Sequence, residues 1–324
     1  MEPGQLRILA MPASEPEINE SSCSPYARSY GRFVKTLGLL NKLLPLRLRI
    51  DCAEMIGKIL SPDKLLNQKI TDNLASFVGE SSKPIWSNAK ILRSFHAHAG
   101  VAGLDHITYQ RKTSRWLDLA VHINGIENLK IEDPAKSSGT LVLTYHNHYK
   151  FLLPVTLGLL GFKVSAMAID WRLSEVGLCG HTRSIYKNFF SDVESYFNGG
   201  RFIYLDGTSP ISTLKSLNKT LQDRQILISL NDVYHPISGS RHHEVQFFNR
   251  TLRCPTGIIE KAISSGAEIV CAYIYWDRHR ANYQLNVRRF DNTSDAKHVV
   301  DSYVELLETE IERDPGFWEG WKLL

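Results

Sequence analysis

The stretch "TLVLTYHNHYKFLLP" (residues 140–154) holds the most chemically suggestive residue of the chain. His146 follows an apolar, strand-forming run, and a second apolar run begins at Phe151. An imidazole with its ordinary pKa near 6.5 suits proton transfer near neutral pH. In open α/β sheets, reactive groups collect beyond the carboxyl ends of strands, and His146 falls at such an end. A histidine that caps the following helix is the plain structural alternative. Asp232 after "ILISLN" and Asp170 in "AIDWR" both fall at expected strand ends. Asp232 could equally close a turn before "YHPISGS". Arg172 could hold a phosphate or carboxylate bidentately, or form a surface ion pair.

Other chemistries find less support. Adjacent histidines in "RHHE" (241–244) point to different sides, and no second carboxylate stands at a ligand spacing, so no metal is expected. Cys254 precedes Pro255 at an expected helix start, where a thiolate would be stabilised. "GLLGF" lacks the spacing and the Lys-Ser/Thr of a phosphate loop. No G-x-S-x-G elbow appears, which argues against an α/β-hydrolase. "VQFF" (245–248), with Phe247 and Phe248, could line an apolar tunnel or simply fill core. Asp206 and Gly207 in "GRFIYLDGT" read most simply as a turn after a strand.

The elements that would position His146 follow from periodicity. Residues 1–28 are rich in Pro, Glu, Ser and Asn and read as a disordered tail. Residues 29–122 carry helical spacing in "CAEMIGKIL", "KLLNQKITDNLASFVG" and "YQRKTSRWLDLAVHI", with no good strand. From 123 to 324 the texture changes. "TLVLTY", "FKVSAMAI", "RFIYL", "QILISL", "EVQFF", "AEIVCAYIYW" and "NYQLNVRRF" read as strands. Between them lie helices: "LLPVTLGLLG" closed by Gly161, a longer one stopped by Gly199 and Gly200, "ISTLKSLNKTLQD" and "PTGIIEKAISSG" with Pro255 at its start. A last helix follows in "SDAKHVVDSYVELLETEIERDP". This alternation predicts an α/β core with a mixed, largely parallel central sheet, helices on both faces, and a helical N-terminal region before it.

Bulk properties are permissive. The 324 residues suffice for one large core with a helical appendage. A net charge of +4 weakly favours anionic partners and does not argue for nucleic acid. Five scattered cysteines without a CxxC argue against a disulfide framework and for a reducing cytoplasm. No signal peptide is read at the start. "TLGLLNKLLPLRLRI" (36–50) is broken by Lys, Arg and Pro and falls short of a membrane span. As an amphipathic helix it could lie on the inner face of the cytoplasmic membrane, or pack on its own protein.

Six pieces in order resemble the lysophospholipid acyltransferase superfamily, and most closely its lipid A late acyltransferase branch. They are "INGIENL" (123–129), "LVLTYHNHYKFLLPVTLGLLGF" (141–162), "MAIDWR" (167–172), "ILISLNDV" (226–233), the "VQFF" to "CAYIY" segment (245–275), and the tryptophan-rich end "ELLETEIERDPGFWEGWKLL" (305–324). The resemblance implies acyl transfer from a thioester donor, acyl carrier protein or acyl-CoA, to a hydroxyl or amine, with no cofactor. His146 would be the general base and Arg172 the arginine of the second block. His148, Tyr149, Lys150, Phe247 and Phe248 would contact substrate, with backbone N–H groups near Tyr149 and Lys150 binding the oxyanion. Members of that branch usually begin with an anchoring apolar segment. The lack of a convincing one here favours a soluble or peripheral protein, acting on a carrier-tethered intermediate in natural-product assembly.

One feature departs from the pattern. The family places an acid five residues after the histidine. Here Phe151 stands five after His146, and Leu153 five after His148. Three arrangements would account for this: a carboxylate from elsewhere, with Asp232 or Asp170 as candidates; a histidine working alone on an easily deprotonated amine; or a catalytically degenerate protein that binds acyl chains or a carrier protein. A carboxylate within about 3 Å of a ring nitrogen favours the enzyme. Phe151 packed on both nitrogens favours the binder.

Overall fold

In this computed structural model the described residues are 46–59, 64–78, 88–129, 138–169, 180–205, 210–233, 241–291 and 293–324, with Thr36 and Gly38. The expectations for the 1–28 tail, most of the 36–50 segment, Asp170, Arg172, Asp206 and Gly207 lie outside them. After the helical Thr36 and Gly38 come α1 (Leu46–Ile59), α2 (Lys64–Val78) and α3 (Asn88–His106). α4 (Ser114–Ala120) runs directly into β1 (Val121–Asn124). The helical reading of "YQRKTSRWLDLAVHI" was therefore too long: a short 3-10 turn, a helix and a strand share it. Thr113 caps α4 by accepting from Trp116 N–H, and β-branched Val121 and Ile123 favour the extended strand that follows.

The core alternates as expected: β2 (Thr140–Thr144), α5 (Leu152–Leu159), β3 (Val164–Ile169), α6 (Gly180–Glu194), β4 (Phe202–Leu205), α7 (Pro210–Gln222) and β5 (Ile226–Leu230). Then come β6 (His242–Phe247), β7 (Arg250–Pro255), α8 (Gly257–Ser264), β8 (Glu268–Asp277), β9 (Asn282–Arg289) and α9 (Ala296–Arg313). Seven strands form one sheet in the order β1-β9-β8-β2-β5-β3-β4. Every pairing is parallel except β8 with β9. This is the mixed, largely parallel α/β core anticipated, with a helical region ahead of it.

β2 is central, and all five of its residues are buried. A strand covered on both faces reads as an unbroken apolar run, as "LVL" does. Leu141, Leu143 and Tyr145 pack into one hydrophobic layer with α9, while Val142 packs into the other with α5. Each such aliphatic side chain contributes about 1.5–3 kcal/mol by leaving water. α5 ends at Gly161, whose φ of +91° only glycine adopts without strain.

Two expectations are corrected. β6 and β7 form a separate antiparallel hairpin, so "NRTLRCP" is strand as well as "EVQFF". Pro255 ends β7, and α8 starts two residues later. Cys254 accordingly lies in a strand and is fully buried, and burial pushes its thiol up. It is no stabilised thiolate. Outside the sheet, α1 crosses α3 with no room for side chains between them. A Cβ on Gly57 would stand 2.0 Å from the His96 carbonyl oxygen, and one on Gly100 equally close to that of Ala53.

Candidate active site

Parallel pairing puts Thr144 of β2 opposite Leu230 of β5. Each chain then runs two residues past that rung, to His146 and to Asp232. Register alone therefore brings the two residues face to face beyond the carboxyl edge of the sheet. His146 Nδ1 lies 2.7 Å from Asp232 Oδ1, and the His146 backbone N–H donates to Oδ2 at 2.8 Å. The indole N–H of Trp318 donates to the same Oδ2 at 2.5 Å. Asp232 is fully buried, so three N–H groups fix a carboxylate that water does not reach. With Asp232 on Nδ1, the tautomer that donates from Nδ1 leaves Nε2 as a lone-pair base. Nε2 has no partner among the described residues, and the His146 side chain keeps 21% of its exposure.

The carboxylate thus comes from another strand. Phe151 stands on the far side of the turn. Its ring packs edge-on against Phe189 and Phe190, at centroid distances of 4.9 and 5.4 Å, on the face of the sheet that holds α5. It has no contact with the His146 ring.

The C-terminal segment closes the corner from behind. Asn147 bridges Trp318, and Glu319 N–H donates to the His146 carbonyl at 2.6 Å. Glu319 meets the ammonium groups of Lys150 and Lys322. Burial works to raise the Glu319 carboxyl, but the two lysine ammonium groups outweigh it and hold the group well below the usual carboxylate range. His148 Nδ1 is 3.5 Å from Glu319, its Nε2 is buried without a partner, and burial holds its pKa well below the ordinary value. His148 is therefore a neutral core residue against Phe95.

Tyr149 is buried too. Its hydroxyl meets His98 Nδ1 at 2.8 Å, and His98 Nε2 meets Asp314 at 2.8 Å. His148 and the Tyr149 ring are thus enclosed, contrary to the substrate contacts expected of them. The oxyanion expectation also fails here. Tyr149 N–H donates to Asn147 Oδ1 at 2.8 Å and Lys150 N–H to the Asn147 carbonyl at 3.2 Å. Both amides serve the turn, and α5 begins only at Leu152.

Phe247 is fully buried and packs on the indoles of Trp318 and Trp321, at 5.2 and 6.3 Å. It supports the indole that holds Asp232. Phe248 is partly buried, with φ of +49°, and its N–H bonds to Glu308. Both sit in core packing, as the plainer alternative had it. Trp318, Glu319, His98 and Asp314 were not singled out from the sequence as site residues. Only the tryptophan-rich ending signalled any of them.

Among the described residues no three His, Cys, Asp or Glu side chains are grouped to hold a metal ion. No helix among them is long and apolar enough to cross a membrane. No known family model and no curated protein matches the sequence.

Proposed function

We propose that this chain is an acyltransferase of the lysophospholipid acyltransferase type, nearest its lipid A branch, with a relocated dyad acid. The carrying observation is the 2.7 Å contact between His146 Nδ1 and the buried Asp232, with Nε2 unpartnered and the ring partly open to solvent. His146 Nε2 removes the proton from an acceptor hydroxyl or amine as that group attacks the thioester carbonyl. A carbon–oxygen or carbon–nitrogen bond forms, the carbon–sulfur bond breaks, and the proton passes from the imidazolium to the departing thiolate. Asp232 holds the imidazole in the donating tautomer and stabilises the cation while it lasts. The donor is acyl carrier protein or acyl-CoA, and no cofactor takes part. The alternative, a degenerate binder of acyl chains, draws support from the loss of the acid at position 151.

The test is direct. The protein is incubated with a panel of acyl carrier protein thioesters, and loss of the acyl group is followed by intact mass. Transfer is expected from the native chain and not from His146→Ala. Full turnover by that variant removes His146 from its role.

A further inference from the structure

Away from the dyad, α1, α3, the turn after α3, α4 and the start of β9 line a partly open cavity of about 120 Å³. Arg49, Asp105, Arg111 and Lys112 line it, with Trp116 and Tyr283 as aromatic walls. Asp105 is already committed: Lys112 Nζ donates to it at 2.7 Å, and the Tyr283 hydroxyl lies 2.8 and 2.9 Å from its two oxygens. The Lys112 ammonium also rests 4.2 Å from the centroid of the Trp116 ring. Arg111 is exposed, and its guanidinium makes no ion pair among the described residues. A guanidinium of this kind in the lining suits an anion.

Its place in the fold matters. β9 runs against β8, so Tyr283, paired with Trp276, lies at the same edge of the sheet as the end of β2. The Tyr283 ring is 6.0 Å from that of Tyr149, three residues past His146. Strand spacing and rise put Tyr283 on the order of 10 Å from His146. A cavity of this volume takes a tetrahedral oxyanion and its first linking atoms, and is too small for an acyl chain.

We propose that this cavity seats the phosphate at the far end of the thioester donor's arm, with Arg111 as its outer clamp, while the acyl carbon lies at His146. The choice of donor rests on the acyl-transfer reading; the cavity does not. Calorimetric titration of the full chain with 4′-phosphopantetheine and with pantetheine tests it without turnover. The phosphorylated compound should bind at least about tenfold more tightly, and Arg111→Gln should abolish most of that preference at an unchanged melting temperature. Equal affinities, no binding of 4′-phosphopantetheine, or a preference that survives Arg111→Gln overturns the proposal. Inorganic phosphate forms the third arm. If it binds in an Arg111-dependent way and 4′-phosphopantetheine fails to displace it, the anion belongs to the other reactant and the donor assignment falls. None of these titrations depends on His146, so the cavity and the acyl-transfer reading can fail separately.

Discussion

Two histidines separated by one residue end in opposite circumstances. His146 gives one nitrogen to a buried carboxylate and keeps the other open, with 21% of its side chain exposed. His148 keeps 3%, sits 4.5 Å from the Phe95 ring centroid, and has a buried nitrogen with no partner. His98 is a third variant, with both nitrogens taken by Tyr149 and Asp314. All three lie near a carboxylate. Only the first combines a fixed tautomer with an accessible lone pair, which is what a general base needs. Proximity of an imidazole to an acid is therefore a weak sign of catalysis. Which nitrogen is left over, and whether anything can reach it, separates the base from the structural pair.

Substituting the acids tests that contrast most severely. Asp232→Asn keeps the volume, yet offers an amide where His146 and Trp318 need an acceptor. Acyl transfer should fall by about 10³–10⁴-fold, the scale seen when a serine-protease triad loses its orienting carboxylate. Asp314→Asn, on the His98 side, should leave transfer within about tenfold and lower stability by about 1 kcal/mol. Initial rates with one thioester donor, alongside denaturant midpoints, separate the two. Equal loss of rate in both variants would erase the distinction drawn between the pairs.

The sheet was legible because its strands announce themselves locally. "TLVLTY" and "QILISL" are apolar enough that no other element fits, and Gly161 and Gly199 mark their helix ends with positive φ. β7 was not legible, since "NRTLRC" alternates on a weakly apolar hairpin and is followed by a proline that reads as a helix start. At the site, His146 could be found from its position after a strand, and Asp232 could be named as a candidate for the same reason. Their meeting is a fact of register between strands 86 residues apart in sequence, which no local pattern encodes. Trp318 and Glu319 were harder still. They reach the corner through the C-terminal turns, and their roles exist only in contact. The helix start at Leu152 was read correctly, yet the expected roles of the Tyr149 and Lys150 amides failed because both N–H groups bond to Asn147 and close the turn before it.

Glu319 probes the side of the corner that does no proton transfer. It is buried, faces two lysine ammonium groups, and its N–H holds the His146 carbonyl. Glu319→Gln keeps the backbone bond and removes the charge, leaving the largely enclosed Lys150 ammonium without its carboxylate. Breaking a buried pair in this way costs about 3 kcal/mol. Urea midpoints should report that loss. The rate per folded molecule should change far less than in Asp232→Asn, because the His146–Asp232 contact is untouched. A rate loss as large as that of Asp232→Asn would place the lysine cluster in the chemistry.

The mildest test uses pH. Burial lowers the pKa of His148 well below its ordinary 6.5, so the folded protein holds it neutral while the unfolded chain protonates it normally. The unfolded state then binds more protons as pH drops below about 6.5. The stability His148 contributes is full above that value and is lost as pH falls toward its folded pKa. Glu319, whose folded pKa is depressed, acts in the same direction at lower pH: its contribution is present above 4.5 and lost as pH falls below it. Unfolding free energy should therefore decline from pH 7 to pH 5, before the carboxylates titrate. His148→Gln cannot take up that proton, so its curve should be flatter over this interval, even if it starts lower. Equal slopes for the two proteins would mean that His148 is protonated in the fold, and that the two neighbouring histidines differ less than their burial implies.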